Sequence, residues 1–109
     1  MANIYRNAKS DLTTTDNTTL YTSPSNSRAI IKNILISDDS GSGDSITATL
    51  TDASAAIFSL FKSKTIGANA TTELITQPII LQEREILKAQ ATTAGRLHVV
   101  VSLLEINRD

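Results

Sequence analysis

The feature that most constrains this chain is its last long apolar stretch, Leu97 to Ile106 (LHVVVSLLEI), rich in the aliphatic and β-branched side chains that suit a pleated sheet. A second run supports it. Ile46, Ala48 and Leu50 alternate with Thr47, Thr49 and Thr51 at period two, the repeat of a strand with one dry and one wet face. Just before that run, Asp38 to Asp44 (DDSGSGD) collects turn formers, so strand, loop and strand read as a hairpin.

Other segments follow the same logic. Ala29 to Ser37 (AIIKNILIS) reads as a central strand, with Ile30, Ile34 and Ile36 predicted on one face and Ile31 and Leu35 on the other. Ala56 to Lys62 is predicted to be a strand, followed by a turn in the Lys64 to Thr71 stretch that holds Gly67 and Asn69. Thr71 to Thr76 runs toward Pro78, which argues for a strand end or a sheet edge there, and Ile79 to Leu81 resumes the sheet. Glu83-Arg84-Glu85 interrupts the apolar pattern before Ile86 to Ala91, and Ala94-Gly95 makes another turn. The residues QEREILKAQA are good helix formers. Confined between Pro78 and Thr92, a helix would deprive the neighbouring strands of an antiparallel partner, so a strand is expected.

About eight short strands at intervals near ten residues predict an all-β fold, an antiparallel β-sandwich or jelly-roll-like barrel. Its 109 residues fit a single domain, 1–109, in which 1–15 is expected to be an N-terminal arm or an edge strand. Only 4% of residues are aromatic, so the interior must be packed from Ile, Leu, Val and Ala. Ser and Thr make up about a quarter of the chain, consistent with wet strand faces.

The formal net charge of -1, with both signs spread along the chain, disfavours nucleic-acid and membrane partners. Without cysteine there is neither a disulfide framework nor a thiolate metal cage, which fits synthesis in a reducing cytoplasm. Met1 to Asp16 has no apolar core of a secretion signal, and no stretch is long enough for an apolar membrane helix. Asn17-Thr18-Thr19 and Asn69-Ala70-Thr71 match the glycosylation pattern by chance in a Thr-rich sequence.

No motif calls for catalysis. His98 is the single histidine and is read as a surface or hydrogen-bonded sheet residue, since a metal site or nucleophile pair would rest on that one ring. Asp38, Asp39 and Asp44 offer oxygens to a cation, but no bidentate Glu closes the loop, so a hairpin with solvated carboxylates is expected. Glu83 and Glu85, two apart around Arg84, read as a solvated reversal. Gly41 and Ser42-Gly43 lack the Lys of a phosphate loop. Tyr5, Tyr21, Phe58 and Phe61 are too scattered for a base-stacking platform, and Phe58 and Phe61 are assigned to the core. No catalytic, cofactor or metal residue is therefore expected. What remains is the sheet edge, which nature either caps or uses to bind a neighbour.

The chain resembles short virion structural proteins of tailed phages, especially those of marine bacteria and cyanobacteria. The resemblance rests on Asn3-Ile4-Tyr5, on Leu20-Tyr21-Thr22-Ser23-Pro24, and on Ala29 to Ser37 followed by its Ser/Gly loop. It continues through Ser59-Leu60-Phe61-Lys62, Glu73-Leu74, Gln77-Pro78-Ile79, Ile86-Leu87-Lys88-Ala89 and the Leu97 to Ile106 ending. Such sequences tend to have a Gly-containing turn between positions 82 and 85, where this chain has Glu83-Arg84.

The resemblance implies a particle component located in the virion, and no enzyme. The leading expectation is a capsid decoration or cement protein, a homo-oligomer such as a trimer, whose partners are the major capsid protein or tail proteins. Asn3, Ile4, Tyr5 and Arg6 are its expected assembly contacts. A tail, neck or baseplate/fibre-associated module is the second reading. A carbohydrate-binding β-sandwich is the third, disfavoured by the scarcity of aromatic residues for stacking on sugars.

Overall fold

The computed structural model describes residues 2–75 and 77–107, with nine strands in chain order. These are β1 (Ala2–Leu12), β2 (Thr18–Thr22), β3 (Ser27–Asp38), β4 (Asp44–Thr51) and β5 (Ile57–Ile66), then β6 (Thr71–Glu73), β7 (Ile79–Leu81), β8 (Ile86–Ala91) and β9 (Leu97–Asn107). The stretch with the best helix formers is β8, because its Leu87, Ala89 and Ala91 at period two fill the interior.

Pairing is nested. β1 joins β9, β2 joins β8, β3 joins both β6 and β7, and β4 joins β5, all antiparallel. The chain is thus one long hairpin folded over on itself. Two further pairings, β3 with β9 and β4 with β8, gather it into a sheet ordered β1-β9-β3-β6, with β7 also on β3, and a sheet ordered β2-β8-β4-β5. This is a jelly-roll-like antiparallel sandwich. β6 and β7 are two pieces of one strand position, broken by the segment that ends at Pro78, which cannot donate to a ladder.

The core lies between the sheets. Along β9 the odd positions Leu97, Val99, Val101 and Leu103 are buried, and they face Ile46, Ala48, Leu87 and Ala89 from the second sheet. Each such Leu, Ile or Val side chain withdrawn from water contributes about 1.5–3 kcal/mol, and among the described residues no aromatic side chain is fully buried.

One predicted face assignment is corrected. On β3 the buried positions are Ala29 and Ile31, then Ile34 and Ile36, so Ile31 rather than Ile30 shares the interior with Ile34. The cause is a bulge between Ile31 and Asn33 opposite β9, where one extra residue reverses the facing of everything beyond it. On β4 the expected side holds, with Leu50 packed against the core beside Ile46 and Ala48, and Thr49 on the other side is buried as well.

Phe58, assigned to the core, is 55% exposed at the start of the edge strand β5, whereas Phe61 packs partly against the core. The Asp38–Asp44 loop also differs from a solvated turn. Asp38 is buried, and its carboxylate accepts from the Ser40 amide and hydroxyl (3.0 and 2.7 Å), the Gly43 amide and the Asn69 amide (both 2.9 Å). One carboxylate thereby ties the β3–β4 loop to the β5–β6 loop. Gly43 has φ +76, and a Cβ there would meet the Ile66 carbonyl oxygen at 3.0 Å, so only glycine fits this close approach.

Candidate assembly surface

The alternation that fills the core with every second residue of β9 turns the others outward. On the first sheet this creates a row across four strands: Tyr5 on β1 lies opposite Leu104 on β9, Leu104 opposite Ile30 on β3, and Ile30 opposite Ile80 on β7. Tyr5 is 75% and Ile80 61% exposed, while Leu104 and Ile30 are half-buried between them. A second, shorter row sets Val100 against Leu35, both exposed, with Lys9 at the β1 end. Such a band of apolar side chains in register marks an interaction surface more than scattered exposed residues do.

The four expected contact residues all lie on β1, at the edge of this sheet. Asn3 and Tyr5 are exposed on the outer side, and the Lys32 ammonium stands 5.9 Å from the Tyr5 ring centroid, a cation–π contact. Ile4 and Arg6 point the other way. Ile4 is half-buried, and Arg6 Nε lies 3.4 Å from the Glu105 carboxylate. Tyr5 therefore belongs to the apolar row, whereas Arg6 serves an internal ion pair. The outward row of Ile30, Leu104 and Ile80 is not legible in the sequence, because their alignment depends on the register of four strands.

Glu105, like Asp38, is a buried acid, 5% exposed at an inward position of β9. It accepts the Tyr21 hydroxyl from β2 at 2.5 Å and faces Arg6 from β1, so its charge is both hydrogen-bonded and paired. Burial, and then the hydrogen bond and charge of Glu105, push the Tyr21 phenol well above its ordinary range, against a smaller opposing effect of Arg6. Glu105 therefore binds the sheets together at one end of the sandwich. At the other end of β9, His98 is half-exposed, with Nε2 3.3 Å from Asp11 and 3.9 Å from Asp39, both solvent-facing carboxylates.

Open grooves beside β1 and β9 have volumes of about 340 Å³, along Lys9, Asp11, His98 and Val100, and about 320 Å³, along Tyr5, Asn7, Lys32 and Ser102. Among the described residues no group of three or more His, Asp or Glu side chains is arranged to hold a metal ion. Glu83 and Glu85 flank a tight turn in which the Gln82 amide donates to the Glu85 carboxylate and Arg84 takes a positive φ of 66°. Tyr5 and Phe58, both exposed, sit on different sheets and form no joint stacking platform.

Fold and surface together define a small jelly-roll-like β-sandwich with an apolar outer band and long sheet edges. Among solved structures it is similar to a chain of the acid-stable capsid of Helicobacter pylori bacteriophage KHP30, with a TM-score of 0.60 and 11% identity over 97% of this chain and 89% of that one. It is also similar to a chain of the Bacillus endospore appendages, described as disulfide-linked pili, with a TM-score of 0.53 and 7% identity over 99% of this chain and 87% of that one. At these identities the likeness is one of fold. No protein-family model matches the chain, and no curated protein matches it in sequence.

Proposed function

We propose that this chain is a non-enzymatic structural protein of a phage particle, a decoration or cement protein that sits on the capsid and stabilises the shell. The observation that carries the proposal is the likeness to the KHP30 capsid chain, which takes in nearly the whole of both molecules rather than one domain of a larger subunit. The exposed row Tyr5–Leu104–Ile30–Ile80 adds support, because a building block must present an apolar surface that its neighbours cover. In this reading the partners are the major capsid protein and other copies of the chain, and Asn3, Ile4 and Tyr5 touch neighbours directly.

A tail or fibre-associated module is the second reading. It draws on the likeness to the spore-appendage chain, a subunit of a filament. The disulfide linkage described for those pili has no counterpart in a chain without cysteine.

Quantitative mass spectrometry of purified particles, together with an image that locates the protein, separates the readings. Hundreds of copies spread over the shell are expected. A few copies at the tail would overturn decoration in favour of the second reading, and absence from the particle would overturn both.

A further inference from the structure

The sandwich has four sheet edges, and they are not equivalent. β5 is irregular, with two register shifts against β4, a positive φ of 53° at Ser63, and Lys62 and Lys64 along it. Bulges and lysines are the devices that keep an edge from pairing. β2 has five residues and a register shift of its own, and the edge opposite β1 in the first sheet is broken into the three-residue pieces β6 and β7. β1 alone is long and regular. Its eleven residues pair with β9 without a shift, so the backbone groups on its outer side form an unbroken ladder template.

We infer that the free edge of β1 pairs antiparallel with β1 of a second copy, about a two-fold axis at Asn7, joining the two five-stranded sheets into one. A two-fold axis perpendicular to the sheet brings together residues of the same face, and centring it on Asn7 is the register that uses all eleven residues. Centring on Arg6, Lys9 or Asp11 sets each of these charges against its own copy, an unfavourable cross-strand pair.

In the Asn7 register the side chains are self-complementary. Tyr5 meets Lys9 of the second copy, the same cation–π pairing that Lys32 already makes with this ring, and Asp11 meets the neutral Asn3. On the inner side Arg6 meets Ala8, which leaves its ion pair with Glu105 intact. The apolar row also gains continuity: Ile80, Ile30, Leu104 and Tyr5 of one copy are extended by the Lys9 stem, Val100 and Leu35 of the other. The inference sharpens the assembly reading of β1 given above, but its test uses the purified protein alone, so its failure leaves the particle location untouched.

The chain lacks cysteine, so a single introduced thiol reports directly. Across the axis the two Asn7 Cα atoms would lie about 4.5–5.5 Å apart, within the span a disulfide bridges. Under mild oxidation Asn7→Cys is expected to form a covalent dimer. Ser102→Cys, beside Asn7 on β9 and exposed on the same face, is expected to stay monomeric because three strand spacings separate the two copies. Lys9→Glu is expected to weaken self-association of the unmodified chain at least tenfold in sedimentation, with an unchanged circular dichroism spectrum. Equal cross-linking at positions 7 and 102, no cross-linking at 7, or a parent protein that sediments as a monomer at all concentrations would each overturn the pairing.

Discussion

Tyr21 on β2 donates its hydroxyl proton to Glu105 on β9 over 2.5 Å, a hydrogen bond that crosses from one sheet to the other. Arg6 on β1 completes the arrangement from the solvent side. The sheets are held at this end by a polar contact and in the middle by aliphatic packing, so the two can be perturbed separately.

Tyr21→Phe removes one hydrogen bond to a charged group and should cost about 1.5 kcal/mol near neutral pH in denaturant titration. The pH dependence has a definite sign. A raised phenol pKa means the stabilisation is complete below about pH 10, the unfolded value, and is lost as pH climbs beyond it. The gap between parent and variant should therefore shrink in alkaline solution. A gap that is constant to pH 11 would show that the phenol does not depend on Glu105.

Asp38→Asn should lower the melting temperature at neutral pH, with the β3–β4 and β5–β6 loops loosening together in hydrogen exchange. Hydrogen bonds from the Ser40 hydroxyl, the Asn69 amide and then the Ser40 and Gly43 amides hold the Asp38 carboxyl below the usual carboxylate range, against the opposing effect of burial. A depressed pKa stabilises the fold above about pH 4 and loses that contribution as pH falls through the folded value. The parent and Asp38→Asn curves should converge in acid.

Thr49 on β4 buries a hydroxyl with no hydrogen-bond partner among the described residues. Thr49→Val replaces that group with a methyl of similar size and should raise stability by up to about 1 kcal/mol. A measured loss would mean the hydroxyl is satisfied.

Leu87→Ala and Phe58→Ser should behave oppositely to a ranking by side-chain size. Leu87 is fully buried and its truncation should cost about 2–5 kcal/mol. Phe58, exposed at the β5 edge, should change stability by less than about 0.5 kcal/mol while improving solubility. Chemical denaturation of the two variants beside the parent checks both values.

Much of the fold was legible because strands announce themselves locally. Period-two patterning placed β4, the long aliphatic and β-branched run placed β9, the Asp/Ser/Gly cluster placed the hairpin loop between β3 and β4, and confinement between Pro78 and Thr92 kept β8 from being read as a helix. The face error on β3 has one origin: at Lys32 one extra residue against β9 turned Ile30 outward. A bulge is a relation between two strands, and neither strand's sequence carries it alone.

The sequence by itself determined that this chain forms an all-β sandwich with an aliphatic core, because alternation and turn chemistry act between residues close along the chain. Only the tertiary structure decided which apolar side chains remain outside as an aligned row, that Glu105 and Tyr21 meet, that Asp38 is buried, and that β1 is the unblocked edge. Those features depend on the register between strands up to about a hundred residues apart, such as Ala2 against Asn107, which is set when the whole sandwich closes.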